Sequence, residues 1–84
     1  MTVREALAEL STMDPDRILV VQADSKGNTY RPLAGMDDNA GCTRTPFGTV
    51  RVGHQRLSNE DRDNGFSDDD LCDPGALPCV VLYQ

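Results

Sequence analysis

Two short apolar runs, one near each end of the chain, most constrain what it can fold into. Residues 18–23 read Ile-Leu-Val-Val-Gln-Ala, and residues 77–83 read Leu-Pro-Cys-Val-Val-Leu-Tyr. Their length and their β-branched and aromatic content are typical of strands rather than helices. The two runs therefore predict neighbouring strands near the centre of a mixed or antiparallel sheet, with Cys79 as a small core residue.

The core that such a sheet can build is small. The chain has 84 residues, and Ile, Leu, Val and Phe together supply 18 of them, with no Trp. A chain of this length buries roughly 60–70% of its unfolded surface. We therefore expect a single domain over residues 1–84 with a thin core, in which one face of the sheet is partly exposed or paired with another copy.

The first residues have the signature of a capped amphipathic helix. Thr2 and Glu5 fit a capping box, in which each side chain accepts a hydrogen bond from the other residue's backbone N–H. Val3, Leu7 and Leu10 then recur at helical spacing and form one apolar stripe. The pattern predicts an N-terminal helix that covers one face of the sheet through these three residues.

The next segment has the composition of a hairpin followed by a loop. Residues 24–28 (Asp-Ser-Lys-Gly-Asn) have turn chemistry and predict a hairpin that joins the strand at residues 18–23 to a second strand at residues 29–33. Pro32 has no N–H to donate, so that second strand is expected at an edge of the sheet. Residues 34–46 are rich in Gly, Asp and Asn and are predicted to be a loop.

The second half of the chain completes the predicted fold. Residues 47–52 alternate enough to form a third strand, and residues 58–76 are predicted to be an acidic loop with short helical turns capped by Ser58 and Ser67. Gly65 is expected to end the first of these turns. The predicted fold class is α+β: one N-terminal helix packed on a small, mostly antiparallel sheet of about four strands, in the order α-β-β-β-(short α)-β.

The whole acidic excess of the chain lies in one segment. The net charge is −6 at pH 7, and residues 59–73 carry all of it, because acids and bases balance elsewhere. Concentrated negative charge repels nucleic acid and anionic membranes, and it attracts a basic protein surface or a cation. The candidate partner-binding residues, called the acidic cluster below, are Glu60, Asp61, Asp63, Asp68, Asp69, Asp70 and Asp73. The alternative interpretation is a solvated loop that keeps a small domain soluble.

The residue types needed for catalysis do not occur in a recognisable pattern. His54 is the one histidine, and neither Cys42 nor Cys72 lies in a nucleophile motif. The three cysteines form no Cys-x-x-Cys pair of the kind that zinc sites use, and an EF-hand loop starting at Glu60 would put Arg62 at a ligand position. We predict a protein without enzymatic activity, cofactor or resident metal, while weak binding of a divalent cation by the acidic cluster stays open.

The cysteine count and the first residues bear on location. Three is an odd number of cysteines, whereas a secreted protein of this size usually carries a paired disulfide set. The start, Met1-Thr2-Val3-Arg4-Glu5, lacks the apolar block of a secretory signal, and no apolar run approaches the roughly 18 residues of a membrane helix. We therefore expect a cytoplasmic protein without membrane contact.

Parts of the sequence resemble small uncharacterised acidic proteins encoded by bacteriophages and prophages. The pattern comprises residues 3–16, the motif Asp24-x-x-Gly27-Asn28-x-Tyr30-x-Pro32-Leu33 and the closing Val80-Val81-Leu82-Tyr83. The resemblance implies a helix, a hairpin and a final strand, and it carries no assigned activity. It also implies a context, the cytoplasm of a bacterial host. Small acidic phage proteins often bind host machinery there, including defence complexes such as CRISPR effectors.

Three functions follow as hypotheses. The first is a non-enzymatic phage-type protein that inhibits a host nucleic-acid-handling or defence complex by binding a basic surface with its acidic cluster. The second is an oligomeric sponge for a small anionic signalling nucleotide, which the exposed sheet face and the scattered arginines suggest. The third is a structural or accessory module that self-associates through that face. The arginines in question are Arg31, Arg44, Arg51 and Arg56.

Overall fold

The computed structural model describes residues 1–22 and 30–84. It has an α+β fold with one N-terminal helix and a four-stranded mixed sheet, as the sequence predicts. Among the described residues, no helix is long and apolar enough to cross a membrane. The elements in chain order are α1 (Val3–Leu10), β1 (Ile18–Val21), β2 (Gly35–Arg44), β3 (Val50–His54), α2 (Asn59–Asp63), a 3₁₀ turn (Asp68–Asp70) and β4 (Leu77–Tyr83).

The sheet joins strands from the two ends of the chain. The strand order is β1-β4-β2-β3, in which β4 runs parallel to β1 and antiparallel to β2, and β2 runs antiparallel to β3. The predicted adjacency of the two apolar runs is confirmed, since Ile18 lies opposite Cys79 and Val21 lies opposite Leu82. Of the two apolar runs, however, only the one in β4 lies at the centre of the sheet, because β1 is an edge strand that pairs with no other described strand.

The interior strand β2 contradicts the prediction of a loop at residues 34–46. Gly35–Arg44 is the longest strand of the described sheet and lies between β3 and β4. Its sequence, Gly-Met-Asp-Asp-Asn-Ala-Gly-Cys-Thr-Arg, has no apolar alternation, and its buried positions carry the small residues Gly35, Ala40, Gly41 and Cys42. A Cβ at Gly35 would lie 2.4 Å from the Oη atom of Tyr83. Ladder hydrogen bonds on both sides hold the strand together in place of local propensity.

The predicted hairpin is also wrong for the residues that the structure describes. Residues 30–33 belong to no strand, which agrees with the missing N–H of Pro32, and the predicted turn at residues 24–28 lies outside the described residues, as does Thr29. The hairpin of this fold instead joins β2 to β3 through a turn in which Gly48 has φ of 78°. The third strand begins at Val50 because residues 46–48 form that turn.

The N-terminal helix forms as predicted, but the side of the helix that is half-buried differs from the predicted one. The capping box is present, with the Glu5 backbone N–H donating to the Thr2 hydroxyl at 3.2 Å and the Thr2 N–H donating to the Glu5 carboxylate at 3.2 Å. The Thr2 hydroxyl also donates to the Glu5 carboxylate at 2.9 Å, and this hydrogen bond, together with that from the Thr2 N–H, lowers the pKa of Glu5. The predicted cover of the sheet by Val3 and Leu7 is wrong, since they are 78% and 64% exposed.

The half-buried residues in the middle and at the end of α1 are Ala6 and Leu10, so of the three residues predicted to face the sheet Leu10 alone is partly buried. These two residues are four apart, so they form a line on the helix that lies beside the line formed by Val3 and Leu7. Because the apolar stripe spans both lines, its sequence pattern alone does not tell which of them faces inward. The helix is anchored at its start by the Met1 amino group, which donates to the Leu33 carbonyl oxygen at 2.8 Å.

The core is as thin as the composition predicts. Ala40, Cys42 and Cys79 form a buried cluster in which each residue is no more than 2% exposed, so the prediction for Cys79 is confirmed. Half-buried aliphatic side chains pack against this cluster, namely Ile18, Val20, Val50 and Val81. Small residues at the centre let the strands approach closely, but they leave the surrounding aliphatic side chains partly open to solvent.

Candidate partner-binding surface

Two carboxylates of the acidic cluster cap short helical turns. The Asp61 carboxylate accepts a hydrogen bond from the Ser58 N–H at 3.0 Å, and Asp70 accepts one from the Ser67 N–H at 2.9 Å. The hydrogen bonds from the backbone and the hydroxyl of Ser58 lower the pKa of Asp61. The predicted cap by the Ser58 side chain is confirmed, whereas at Ser67 the hydrogen bond runs from its backbone N–H to the Asp70 carboxylate. The helix α2 ends near Gly65, where φ is 99°. These two acids have a structural role.

Two further carboxylates of the cluster form ion pairs at the surface. Asp68 pairs with Arg62 and Asp73 pairs with Arg51, each at 2.9 Å between nitrogen and oxygen. All four side chains are at least 48% exposed, so each pair contributes only about 0–1 kcal/mol to stability. Such pairs orient the acidic side chains, and their outer oxygens stay accessible to another molecule.

The three remaining acids of the cluster are uncommitted within the described chain. Glu60, Asp63 and Asp69 are exposed, and the carboxylate of none of them forms a hydrogen bond or ion pair with another described residue. Glu60 and Asp63 lie on α2, whereas Asp69 lies in the 3₁₀ turn. Within the described residues, the seven predicted residues therefore divide into four whose carboxylates form hydrogen bonds or ion pairs and three whose carboxylates form none.

The 3₁₀ turn is held beside β3 by contacts between the residues that flank the turn and His54 at the end of β3. The Cys72 N–H donates to the His54 carbonyl oxygen at 2.8 Å, and His54 forms an isolated parallel bridge with Leu71. The rings of His54 and Phe66 meet edge to face, with their centroids 5.2 Å apart. His54 is thus a packing residue of this junction.

One face of the sheet forms an open groove of about 1040 Å³. Aliphatic side chains of the strands line it, and Asp37 of β2 and two acids of the 3₁₀ turn, Asp69 and Asp70, also reach it. Among the described residues that line the groove, none is Lys or Arg. The residues that contribute apolar surface include Ile18, Val20, Val50, Val52 and Val81. Sequence reasoning missed this groove because it depends on β2, which has no local strand signal.

Arg17 is the residue that holds the irregular part of β2 against its neighbours. The register between β2 and β4 shifts between Asp37 and Ala40, and this bulge turns backbone carbonyls out of the ladder. Four oxygens surround the Arg17 Nη2 atom: the Cys79 carbonyl at 2.8 Å, the Gln55 side chain at 3.0 Å, the Ala40 carbonyl at 3.2 Å and the Asp38 carbonyl. The two Nη2 hydrogens are shared among these acceptors, and Nε donates to the Cys79 carbonyl at 3.2 Å. Nothing in the local sequence around Arg17 indicates this role.

The arginines that suggested an anion site are not gathered around the groove. Arg51 is paired with Asp73, and together with Asp69 they line a smaller cavity of about 180 Å³. Among residues 1–22 and 30–84, no three His, Cys, Asp or Glu side chains are grouped closely enough to hold a metal ion. Of these two cavities the groove is the larger, and the charged side chains that line it among the described residues are acidic.

The buried thiols make stability depend on pH. Burial raises the pKa of the Cys79 thiol from 9.0 to about 11, and the neighbouring Cys42 thiol adds to the shift. A raised folded-state pKa gives stability that is complete below pH 9 and is lost as the pH rises towards 11. We expect the free energy of unfolding to fall by roughly 2–3 kcal/mol across this range, as measured by urea denaturation.

The matched control for this pH dependence is Cys79→Ala. This variant is less stable at every pH, but it should lose the part of the decrease that Cys79 causes, since it has no thiol to ionise. Equal decreases in the variant and the original protein would show that the Cys79 thiol is not responsible.

Comparison with known proteins adds no relative. No protein-family model matches the chain, and the comparisons with curated proteins and with solved structures give no match either.

Proposed function

We propose that the protein is a non-enzymatic binding protein of phage type, which inhibits a host nucleic-acid-handling or defence complex by covering a basic surface of that complex. The observation that carries this proposal is the set of three exposed and uncommitted carboxylates, Glu60, Asp63 and Asp69, on or beside turns that are capped and ion-paired. A basic surface that normally binds nucleic acid attracts such a carboxylate surface for the same electrostatic reason. The phage context comes from the sequence resemblance.

Preorganisation supports this reading over that of a solvated loop. The turns that carry the free carboxylates are fixed by the Ser58 and Ser67 caps and by the contact of Cys72 with His54. A surface that is already ordered loses less conformational entropy when it binds. A loop that served only solubility would not need this set of contacts.

The groove disfavours the nucleotide-sponge alternative. An anionic nucleotide in the groove would face Asp37, Asp69 and Asp70 without a described Lys or Arg to neutralise its phosphate. Self-association through the same face meets a similar obstacle, because two copies with a net charge of −6 each would bring these acids together. The acids in the groove therefore favour a basic partner over both an anionic nucleotide and a second copy of this chain.

The test neutralises only the uncommitted acids, so that the caps and ion pairs stay intact. We expect the triple variant Glu60→Gln, Asp63→Asn, Asp69→Asn to retain about tenfold less of its partner from a bacterial lysate than the original protein does. Retention by the original protein should decrease between about 0.05 M and about 0.3 M NaCl, because salt screens exposed charges. The measurement is quantitative mass spectrometry of proteins held by the immobilised chain.

The control is a second triple variant with the same change in charge elsewhere on the surface. It carries Glu9→Gln, Asp16→Asn and Asp38→Asn, three exposed acids outside the acidic cluster, and it should bind as the original protein does. Equal retention by the cluster variant and the original protein would contradict the proposal. A retained partner with no role in handling nucleic acid would contradict the proposed partner class.

A further inference from the structure

We propose that the groove on the sheet holds a basic amphipathic helix of the partner, with apolar side chains on the aliphatic floor and Lys or Arg side chains on the acidic rim. This inference rests on the proposed function and specifies which part of a basic partner binds. The floor includes Val20, Val52 and Val81, and the rim includes Asp37 and Asp69.

The size of the groove fits a short stretch of helix. Its volume of about 1040 Å³ lies at the upper end of the range for small-molecule pockets, and it is open to solvent rather than enclosed. The same volume corresponds to about 13 Å of a helix about 10 Å across, or roughly nine residues. Nine residues include one set of side chains at i, i+4 and i+7, which is the pattern by which an amphipathic helix enters a groove.

The floor of the groove is apolar and accessible. Val52 is 45% exposed, although it is a strand residue on the face that carries the buried Cys42 opposite it. Val20 and Val81 lie opposite each other on β1 and β4 and are half-buried. Covering such side chains releases about 25 cal/mol for each Å² of apolar surface removed from water.

The rim determines which helix would bind. Asp69 has no partner among the described residues, and Asp70 uses one carboxylate oxygen to accept from Ser67. Asp37 uses one oxygen to accept from the Asn39 N–H at 2.8 Å. Each rim acid therefore keeps at least one oxygen for a cation, and no described Lys or Arg lines the groove to compete. Charge complementarity thus selects a basic helix over an acidic helix or a second copy of this chain.

The probe for this site is a pair of synthetic peptides of about 15 residues, a length at which helices begin to form in water. The first peptide has Leu at helical spacing and Lys at the other positions, and the second has the same composition in an order without a stripe. We expect the first to bind at least about tenfold more tightly by fluorescence anisotropy. It should also shift the amide resonances of Val20, Val52 and Val81 in spectra of the ¹⁵N-labelled protein.

Two substitutions test the floor and the rim separately. Val52→Lys places a charge on the floor and Asp69→Asn removes one from the rim, and each should weaken binding of the first peptide by about tenfold. Leu77→Lys is the control for the floor, because Leu77 is 51% exposed and does not line the groove. Asp16→Asn is the control for the rim, and neither control should change the affinity.

The outcomes separate this inference from the proposed function. Equal affinity for the two peptides, or an unchanged affinity in Val52→Lys, would overturn the groove as the binding site. The acidic surface would still stand in that case if the triple variant loses its partner from the lysate. Absence of binding to both peptides would overturn the groove proposal as well, since a basic amphipathic helix is the occupant that it specifies.

Discussion

Replacing Arg17 with Ala is expected to lower the free energy of unfolding by about 3 kcal/mol or more, measured as a decrease in the urea midpoint. A domain of 84 residues has a total stability of about 4–12 kcal/mol. This one substitution would therefore remove a large part of it. The size of the effect follows from how many elements the Arg17 side chain joins.

The guanidinium of Arg17 connects three parts of the fold. Its Nη2 atom lies against the Cys79 carbonyl in β4, the carbonyls of Asp38 and Ala40 at the bulge of β2, and the Gln55 side chain after β3. Without it, the Cys79 and Ala40 carbonyls, which lie in a partly buried region, lose a donor, and each unsatisfied acceptor there costs about 1–3 kcal/mol. The bulge would then have little to hold it against β4.

Two further variants make the Arg17 result specific. Arg17→Lys keeps the charge but loses the Nε donor to the Cys79 carbonyl and shortens the side chain, so an intermediate loss is expected. Arg4→Ala removes an exposed arginine of α1 and should leave stability within about 0.5 kcal/mol of the original. If Arg17→Ala were no less stable than Arg4→Ala, the hydrogen bonds of Arg17 would not be holding the sheet.

The second large effect is expected at Gly53, where the 3₁₀ turn meets β3. A Cβ at this position would lie 2.6 Å from the Cys72 backbone nitrogen and 2.7 Å from its Cα atom. Because both are backbone atoms, no side-chain rotation relieves the overlap. Gly53→Ala should lower the free energy of unfolding by about 2–3 kcal/mol, measured by thermal or urea denaturation.

The control at another glycine isolates the steric cause. Gly75 has open space around its Cα atom and no positive φ, so Gly75→Ala should leave stability unchanged or raise it by about 0.5 kcal/mol. Gly53→Ala should also broaden or shift the Cys72 amide resonance, because the hydrogen bond from Cys72 to His54 is strained. An Ala at position 53 that is tolerated as well as one at position 75 would contradict this account.

These two substitutions also matter for the candidate site. Arg17 fixes the bulge that begins at Asp37, and Gly53 allows the turn that carries Asp69 to lie beside β3. Since both acids belong to the rim of the groove, either substitution should weaken peptide binding in addition to its effect on stability. The site and the fold therefore depend on the same long-range contacts.

Features that depend on neighbours in sequence were predictable. The capping box of Thr2 and Glu5, the cap of α2 at Ser58 and its end near Gly65 all involve residues within a few positions of one another. The pairing of the runs that contain Ile18 and Cys79 was also predictable. A small domain has one thin core, so its two most apolar segments both pack there and lie next to each other. Composition and local spacing carry these signals.

The missed features depend on contacts between distant residues. The prediction of a loop at residues 34–46 failed because β2 is made of small and polar residues, whose strand conformation comes from its neighbours on both sides. Arg17 meets Ala40 and Cys79 across separations of 23 and 62 residues, which no local pattern reveals. The division of the acidic cluster into committed and free carboxylates likewise needs the positions of Arg51 and Arg62.

By itself, the sequence determined the fold class, the caps, the pairing of its two apolar runs and the place where its negative charge accumulates. These follow from side-chain volume, polarity and charge, which each residue carries whatever its surroundings. Only the tertiary structure decided that residues 35–44 form an interior strand, which acids form hydrogen bonds or ion pairs within the described chain, and that an apolar groove lies beside Asp69 and Asp70. The physical reason is that backbone hydrogen bonds and steric fit arise between segments that are distant in sequence. The residues of one segment alone therefore do not indicate which segment will lie beside it.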